Sequence, residues 1–304
     1  MSEIVNHPLV AIVGPNASGK SALAVKLARQ FNGEVISADS RQVYRGLDIG
    51  SGKISKKEMR GVPHHLLDVA NPRHTFTVAD YQRQATSAIK KIWQRGKLPI
   101  LCGGTGFYIS AVLSGTVLPQ VKPNPRLRKI FTQKTTKELF EMLKKSDLAR
   151  DMKIDKHNRV RLIRSLEIVK SLGKVPKLNH KPLSADVLIL GLSVTKPILI
   201  NRIERRLRLR LKQGLVNEVK KLHLSGLSWR RLESFGLEYR AVALYLQGKF
   251  TKQEMLETIN RESWQYARRQ MTWFKKNTDA TWVSRETPAL RLTRQFLSKK
   301  IAHA

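Results

Sequence analysis

The 304-residue chain has a single cysteine, Cys102. An internal disulfide and a cysteine-based zinc site are therefore excluded, and a cytoplasmic setting is the expectation. No run of 18 apolar residues occurs, so no membrane-spanning helix and no membrane partner are expected. The stretch Met1 to Pro8 lacks the basic start and long apolar core of a signal peptide. Acidic residues are also scarce, 23 against 57 Lys and Arg, for a formal net charge of +34. What is present is ordinary for a globular chain: 41% hydrophobic and 26% charged residues, in a length that suits two domains or one with an insertion.

The charge is uneven. Residues 1–118 hold 15 basic and 7 acidic residues, whereas residues 119–304 hold 42 and 16. A lineage with generally basic proteins would give such a bias. A polyanionic partner bound by the second part would also give it, and nucleic acid demands that much charge where small acidic metabolites do not.

Leu9 to Val13 is a short apolar run, read as a buried strand. A Gly-rich turn follows, then helical spacing of Leu23, Leu27 and Phe31. Further strands are predicted at Glu34 to Ala38, Leu66 to Val69 and Leu98 to Cys102, with a helix from Val78 to Gln94 stopped by Gly96 and another up to about Leu113. Residues 41–62 read as a long functional loop. Strands alternating with helices predict an α/β fold around a parallel sheet. The prolines of 119–125 mark a boundary. Basic helices follow over 126–172, a strand at Val187 to Val194, helices at about 197–212, 215–224, 238–247 and 252–276, and a last short strand at Thr281 to Ser284. The expected organisation is a phosphate-loop core in two parts, 1–118 and 183–304, interrupted by a helical insertion at 119–182 and ending in helices.

Gly14-Pro15-Asn16-Ala17-Ser18-Gly19-Lys20-Ser21 matches the phosphate-loop pattern at every fixed position, between a strand and a helix. Its glycines let backbone N–H groups converge on phosphate oxygens, and the helix N-terminus adds positive potential. Lys20 supplies a mobile charge and Ser21 a hydroxyl for Mg²⁺. Leu98 to Cys102 ends in Gly103-Gly104, where many nucleotidases carry a Mg²⁺-binding Asp, which weakens a plain ATPase reading. Asp39, at the end of its strand, lies at the carboxyl edge where α/β proteins bind ligands. It serves there either as a base or as a turn cap.

These residues, with Asp39-Ser40-Arg41-Gln42-Val43-Tyr44 through Gly50, Pro63 to Asp68, Gly103 to Thr105, Arg161 to Glu167 and Tyr266 to Phe274, resemble the tRNA dimethylallyltransferases, also called tRNA isopentenyltransferases. The blocks run in the family's order. The resemblance implies transfer of a dimethylallyl group from dimethylallyl diphosphate to the exocyclic amine of the adenosine 3′ of the anticodon, assisted by Mg²⁺. It also implies a helical insertion that grips the anticodon stem-loop, and no obligate protein partner. By resemblance Asp39 is the general base, and Ser21 and Arg202 help hold the diphosphate. Asp39, Ser40, Arg41 and Gln42 would contact tRNA, as would Val160, Arg161, Leu162, Ile163 and Arg164, with Thr105 nearby. Ser21 stands where Thr is frequent, the zinc module of eukaryotic members is absent, and Gly236-Leu237-Glu238-Tyr239-Arg240 departs from the usual segment, so no role is carried over there.

The chemistry suits the residues. A delocalised exocyclic amine is a weak nucleophile and needs a carboxylate to take its proton. A departing diphosphate needs fixed cations and N–H donors. Arg202, Arg206 and Arg210 share one helix face; Arg206 and Arg210 read as solvated, and only Arg202 as a diphosphate ligand. Tyr266, Gln270 and Trp273 read as core. His64 and His65 lack partners at metal spacing, and Cys102 reads as a small buried side chain. Other readings of the same residues are a phosphate-loop kinase using ATP, a prenyltransferase of free adenine nucleotides, and a non-catalytic RNA-binding protein.

Overall fold

The structure, a computed structural model, describes residues 7–146 and 154–301. It forms two compact units: the residues through Gly115 together with those from Pro182, and Thr116–Lys181. The first unit is built on a six-stranded, wholly parallel sheet of β1 (His7–Val13), β2 (Gly33–Ala38), β3 (His64–His65), β4 (Leu98–Gly103), β5 (Ala185–Leu192) and β6 (Thr281–Val283), in the order β3-β2-β4-β1-β5-β6. Val10 of β1 stands opposite Ile100 of β4 and Leu188 of β5.

Alternation along β1 divides its side chains between two layers. Val10 and Ile12 pack with Leu23 and Leu27 of α1 (Lys20–Gln30), and Leu9, Ala11 and Val13 belong to the cluster on the other face. After the four-residue α2 (Lys56–Met59), that second face is covered by α3 (Val78–Gln94) and α4 (Gly106–Leu113). α3 starts at a capping box between Thr77 and Asp80 and buries Tyr81, Ala85, Ile89 and Ile92. Burial on both faces explains why these strands read as unbroken apolar runs. The strand expected at Leu66 to Val69 does not form. Leu66 and Asp68 have positive φ angles of 62° and 57°, which end the extended chain, and His64–His65 pairs with β2 instead.

Within Thr116–Lys181, α5 (Pro125–Phe131), α6 (Thr136–Ser146) and α7 (Arg159–Leu172) pack around Phe131, Leu139, Leu143, Leu162 and Leu166. Asn124 and Asn158 cap the first turns of α5 and α7. The carboxylate of Glu167, 1% exposed, accepts from Asn124 N (2.7 Å) and from Arg128 Nε and Nη2 (2.8 and 2.9 Å).

The remaining helices return to the first unit: α8 (Lys196–Lys212), α9 (Leu215–Leu224), α10 (Trp229–Ser234), α11 (Leu237–Leu246), α12 (Lys252–Asn277) and α13 (Glu286–Ile301). The sequence reading did not foresee α10 and α13. Helices α9 to α12 form their own core around Val43, Tyr44 and Leu47 of the long loop after β2. Full burial of Leu47 contributes about 2 kcal/mol, so a segment that reads as loop is anchored in this core. Among the described residues no helix is long and apolar enough to cross a membrane.

Candidate active site

The phosphate loop leaves β1 at Gly14, whose φ of 143° suits glycine; a Cβ there would stand 2.7 Å from the Leu192 carbonyl oxygen. Gly19 (φ 103°) precedes α1 without a side-chain cap, so the first-turn N–H groups stay available to an anion. Ala17 between them is held in the left-handed region (φ 62°), a cost that concentrates at functional sites. The Ser18 hydroxyl is buried and has no hydrogen-bond partner among the described residues. Lys20 is 9% exposed and its Nζ donates to the Pro15 carbonyl at 2.6 Å. Burial pushes it down from the ordinary 10.5 to about 8. Ser21 is exposed on the first turn.

β4 runs between β1 and β2, so its end separates the phosphate loop from Asp39. A Cβ on Gly103 would collide with the Ala38 backbone, and one on Gly104 with the Gln270 amide. The Gly-Gly pair is thus a packing requirement, with no room for the carboxylate that nucleotidases place there. Gln270, 5% exposed, ties the parts together. Its Oε1 accepts from Asn16 N (2.8 Å) and its Nε2 donates to Gly104 O (2.8 Å) and to Asn16 Oδ1 (3.2 Å).

Of the two roles left open by the sequence, the structure shows Asp39 in that of the turn cap. Its Oδ1 accepts from the N–H groups of Arg41 (2.8 Å) and Gln42 (3.3 Å), a turn cap that fixes the carboxylate. Its Oδ2 has no hydrogen bond within the described protein. Thr105 Oγ1 accepts from Ser40 N at 3.1 Å. The Gln42 amide is held at both ends, Oε1 accepting from Ser37 Oγ (3.1 Å) and Nε2 donating to Gly52 O (3.2 Å).

Two cavities meet at Asp39. One, of about 300 Å³, is walled by Lys20, Ser21, Gln42, Arg206 and Arg210 as well as Asp39. The second, of about 370 Å³, shares Asp39 and Arg210 and adds Arg41, Phe235, Tyr266 and Arg269. The Arg210 guanidinium is paired with Glu238. Arg206 has no hydrogen bond or ion pair among the described residues; burial and the adjoining Arg210 charge push it down to about 10. The first cavity therefore presents cations, loop N–H groups and the carboxylates of Asp39, Glu58 and Glu238, the last paired with Arg210. Its oxygen donors, Ser21 Oγ and Asp39, are hard ligands of the kind Mg²⁺ takes. The described residues hold no cluster of three His, Cys, Asp or Glu that would bind a metal by themselves, and Mg²⁺ commonly takes one or two protein ligands and completes its shell with phosphate oxygens and water. The residues fit such an ion beside a bound diphosphate.

Several expected residues stand elsewhere. Arg202 is exposed outside the first cavity, and its Nη1 donates to the Ser18 carbonyl of the phosphate loop at 2.9 Å. Arg206 and Arg210, expected to be solvated, line the cavity. Tyr266, expected in the core, lines the second cavity; burial pushes its phenol up to about 12. Trp273 does pack internally, against Gly106. In α7, Leu162 and Ile163 are buried in the helical core, so of that segment Val160 (77% exposed) and Arg161 present their side chains to solvent. Arg164 is half engaged, with Nη2 donating to Val121 O at 2.7 Å. His64 Nδ1 lies 2.9 Å from Val62 O, and His65 Nε2 lies 2.7 Å from the buried Glu34 carboxylate. Cys102 is buried, and burial raises its thiol to about 11.

Known proteins resemble this chain over most of its length. The family model described as IPP transferase matches residues 42–277. The tRNA dimethylallyltransferase 1 of Geotalea daltonii is 42% identical over 268 residues, 88% of this chain and 86% of that protein. The tRNA dimethylallyltransferase of Halalkalibacterium halodurans is 40% identical over 288 residues, 91% of each. Among solved structures, the full-length tRNA isopentenylpyrophosphate transferase from Bacillus halodurans superposes with a TM-score of 0.73 at 37% identity, covering 98% of both chains. A eukaryotic dimethylallyltransferase acting on tRNA shares the fold, with a TM-score of 0.81 at 24% identity, over 97% of this chain and 80% of that one.

Proposed function

The chain belongs to the IPP transferase family, and on that premise we propose that it is a tRNA dimethylallyltransferase. It moves the dimethylallyl group of dimethylallyl diphosphate onto the exocyclic amine of the adenosine 3′-adjacent to the anticodon and releases diphosphate. The observation that carries this reading is the position of Asp39, where a cationic phosphate-loop cavity and a second, partly aromatic cavity meet.

The first cavity receives the donor. Its diphosphate is held by the loop N–H groups, Lys20 and Arg206, which are in place before the reaction and oppose the charge that grows as the C–O bond breaks. Arg202 acts from outside, on the Ser18 carbonyl, to keep the loop in shape. The Ser21 hydroxyl would help hold Mg²⁺, which would supply further neutralisation of the diphosphate charge. The acceptor adenine enters through the second cavity after leaving the stack of its loop. Gln42 retains one N–H and one lone pair for a base edge, and Arg161 on the helical unit contacts the RNA backbone. As the amine nitrogen bonds to the allylic carbon, the electron pair of the C–O bond leaves with diphosphate. The amine proton passes to Asp39 Oδ2, which its capped partner Oδ1 holds in a fixed direction.

The test is acceptor choice. Purified protein with labelled dimethylallyl diphosphate is expected to label bulk tRNA and to leave AMP unlabelled. Label in AMP but not in tRNA would replace this reading with a prenyltransferase of free nucleotides.

A further inference from the structure

The segment 236–240, for which the family resemblance supplies no role, holds the loop between the two cavities. Glu218 of α9 and Tyr239 of α11 converge on the turn 48–52. Glu218 Oε2 accepts from Asp48 N (3.0 Å) and Ile49 N (2.7 Å), and Oε1 accepts from Gly50 N (3.0 Å). Tyr239, 1% exposed, donates its hydroxyl to Glu218 Oε1 (2.8 Å) and accepts from Ser51 N (3.1 Å). Four consecutive backbone N–H groups thus end on two side chains, in a nest that elsewhere would attract an anionic ligand. The Tyr239 ring also lies against the turn so closely that a Cβ on Gly50 would come within 2.6 Å of it. Burial and the Glu218 carboxylate push the Tyr239 phenol well above its ordinary value, so it keeps the proton it donates.

The turn so held touches both halves of the site. The Gly52 carbonyl accepts from Gln42 Nε2, which sets the amide orientation in the wall of the first cavity beside Asp39, while Gly50 and Ser51 line the second. Gly52 packs against the guanidinium groups of both Arg210 and Arg206: a Cβ there would collide with Arg210 Nη2 and stand 2.7 Å from Arg206 Nη2. This contact limits where the donor-side cation can go. A fold-stabilising role alone would not require the clamped turn to carry these two contacts.

We propose that Glu218 and Tyr239 are positioning residues for the transfer reaction, which by holding the 48–52 turn aim Arg206 at the diphosphate and Gln42 at the acceptor. The acceptor half of this inference rests on the tRNA transferase reading; the diphosphate half does not. Three variants test it: Glu218→Gln, which turns an N–H donor toward the backbone donors; Tyr239→Phe, which removes one hydroxyl; and Glu34→Gln, which breaks a buried network outside the cavities. The measurements are inorganic diphosphate affinity, single-turnover transfer to tRNA, discrimination between cognate and loop-mutated tRNA, and thermal midpoint. Glu218→Gln is expected to weaken diphosphate binding about fivefold and slow transfer at least tenfold, with discrimination reduced, and Tyr239→Phe to move each quantity in the same direction by less. Glu34→Gln is expected to lower the midpoint and leave the other three unchanged. If Glu218→Gln fails to fold, Tyr239→Phe carries the test. Folded clamp variants with wild-type diphosphate affinity and transfer would overturn the proposal, as would losses that Glu34→Gln reproduces in proportion to its midpoint. If wild-type protein transfers nothing to tRNA, the transferase reading and the acceptor half fall together, and the diphosphate affinities still decide the donor half.

Discussion

At the scale of single residues, the candidate site depends on groups whose environment departs from water. Lys20 illustrates this. Burial brings it down to about 8, so in the free protein its charge is present below that pH and fades above it. A bound diphosphate restores the charge by attraction, and the proton must be taken from solution. The ratio of wild-type to Lys20→Met affinity for inorganic diphosphate, in which the ligand's own titration cancels, is therefore expected to fall about tenfold between pH 7.5 and 9. Calorimetry in that range checks it; a constant ratio would mean that Lys20 keeps its charge throughout and is not lowered by burial. Arg206 shows the limit of reading residues one by one. Arginines at 202, 206 and 210 recur at one helical spacing, and nothing local distinguishes the exposed one from the two that line a cavity. The turn at Gly52, some 150 residues away in sequence, makes that distinction.

At the scale of elements, legibility followed the length of the periodic signal. The helix α3 was readable to its ends because an apolar stripe lies between a capping residue, Thr77, and Gly96. The phosphate loop was readable because its glycines are demanded by backbone geometry alone. The two-residue β3 was not, since so short a strand has no alternation, and the positive φ angles after it come from tertiary packing. Tyr266 reads as core, although it lines a cavity, because the stripe of a buried helix looks the same whether it faces core or cavity; Gln270 on the same stripe is buried as expected. Sheet burial also hides charge. Glu34, 3% exposed in β2, is met by His65, by Arg95 Nη2 at 2.6 Å and by Lys97 Nζ at 2.9 Å. Burial alone would raise its carboxyl, but the hydrogen bonds from Arg95, His65 and Lys97 outweigh burial and bring it from the ordinary 4.5 to about 2. A depressed carboxylate stabilises the fold above its unfolded value and loses that contribution as pH falls from about 4.5 towards 2. Glu34→Gln is expected to cost about 3 kcal/mol at pH 7, with the gap to wild type closing over that acid range in denaturant melts. A gap that stayed constant with pH would assign the loss to packing instead of charge.

At the scale of the whole molecule, the excess of cations is the earliest sign of a nucleic-acid substrate, and charge-based binding separates from base reading by salt dependence. Arg161 is exposed on α7 and its side chain forms no hydrogen bond among the described residues, whereas Gln42 is oriented inside the first unit by Ser37 and Gly52. Arg161→Ala is expected to weaken all tRNAs alike and to flatten the salt slope of binding by about one. Gln42→Ala should lower discrimination between cognate and loop-mutated tRNA and leave the slope nearly unchanged. Affinity titrations over a range of salt concentrations distinguish them; a flattened slope for Gln42→Ala would move loop recognition to other residues.

If Asp39 takes the amine proton where the two cavities meet, replacing it with an amide of the same size should remove the chemistry and spare the binding. The decisive measurement is single-turnover transfer by Asp39→Asn, with tRNA and diphosphate affinities determined on the same preparation. Transfer is expected to fall by about 10²-fold or more, with both affinities within a few fold of wild type. Transfer near the wild-type rate with both substrates bound would contradict the role of Asp39 as the base.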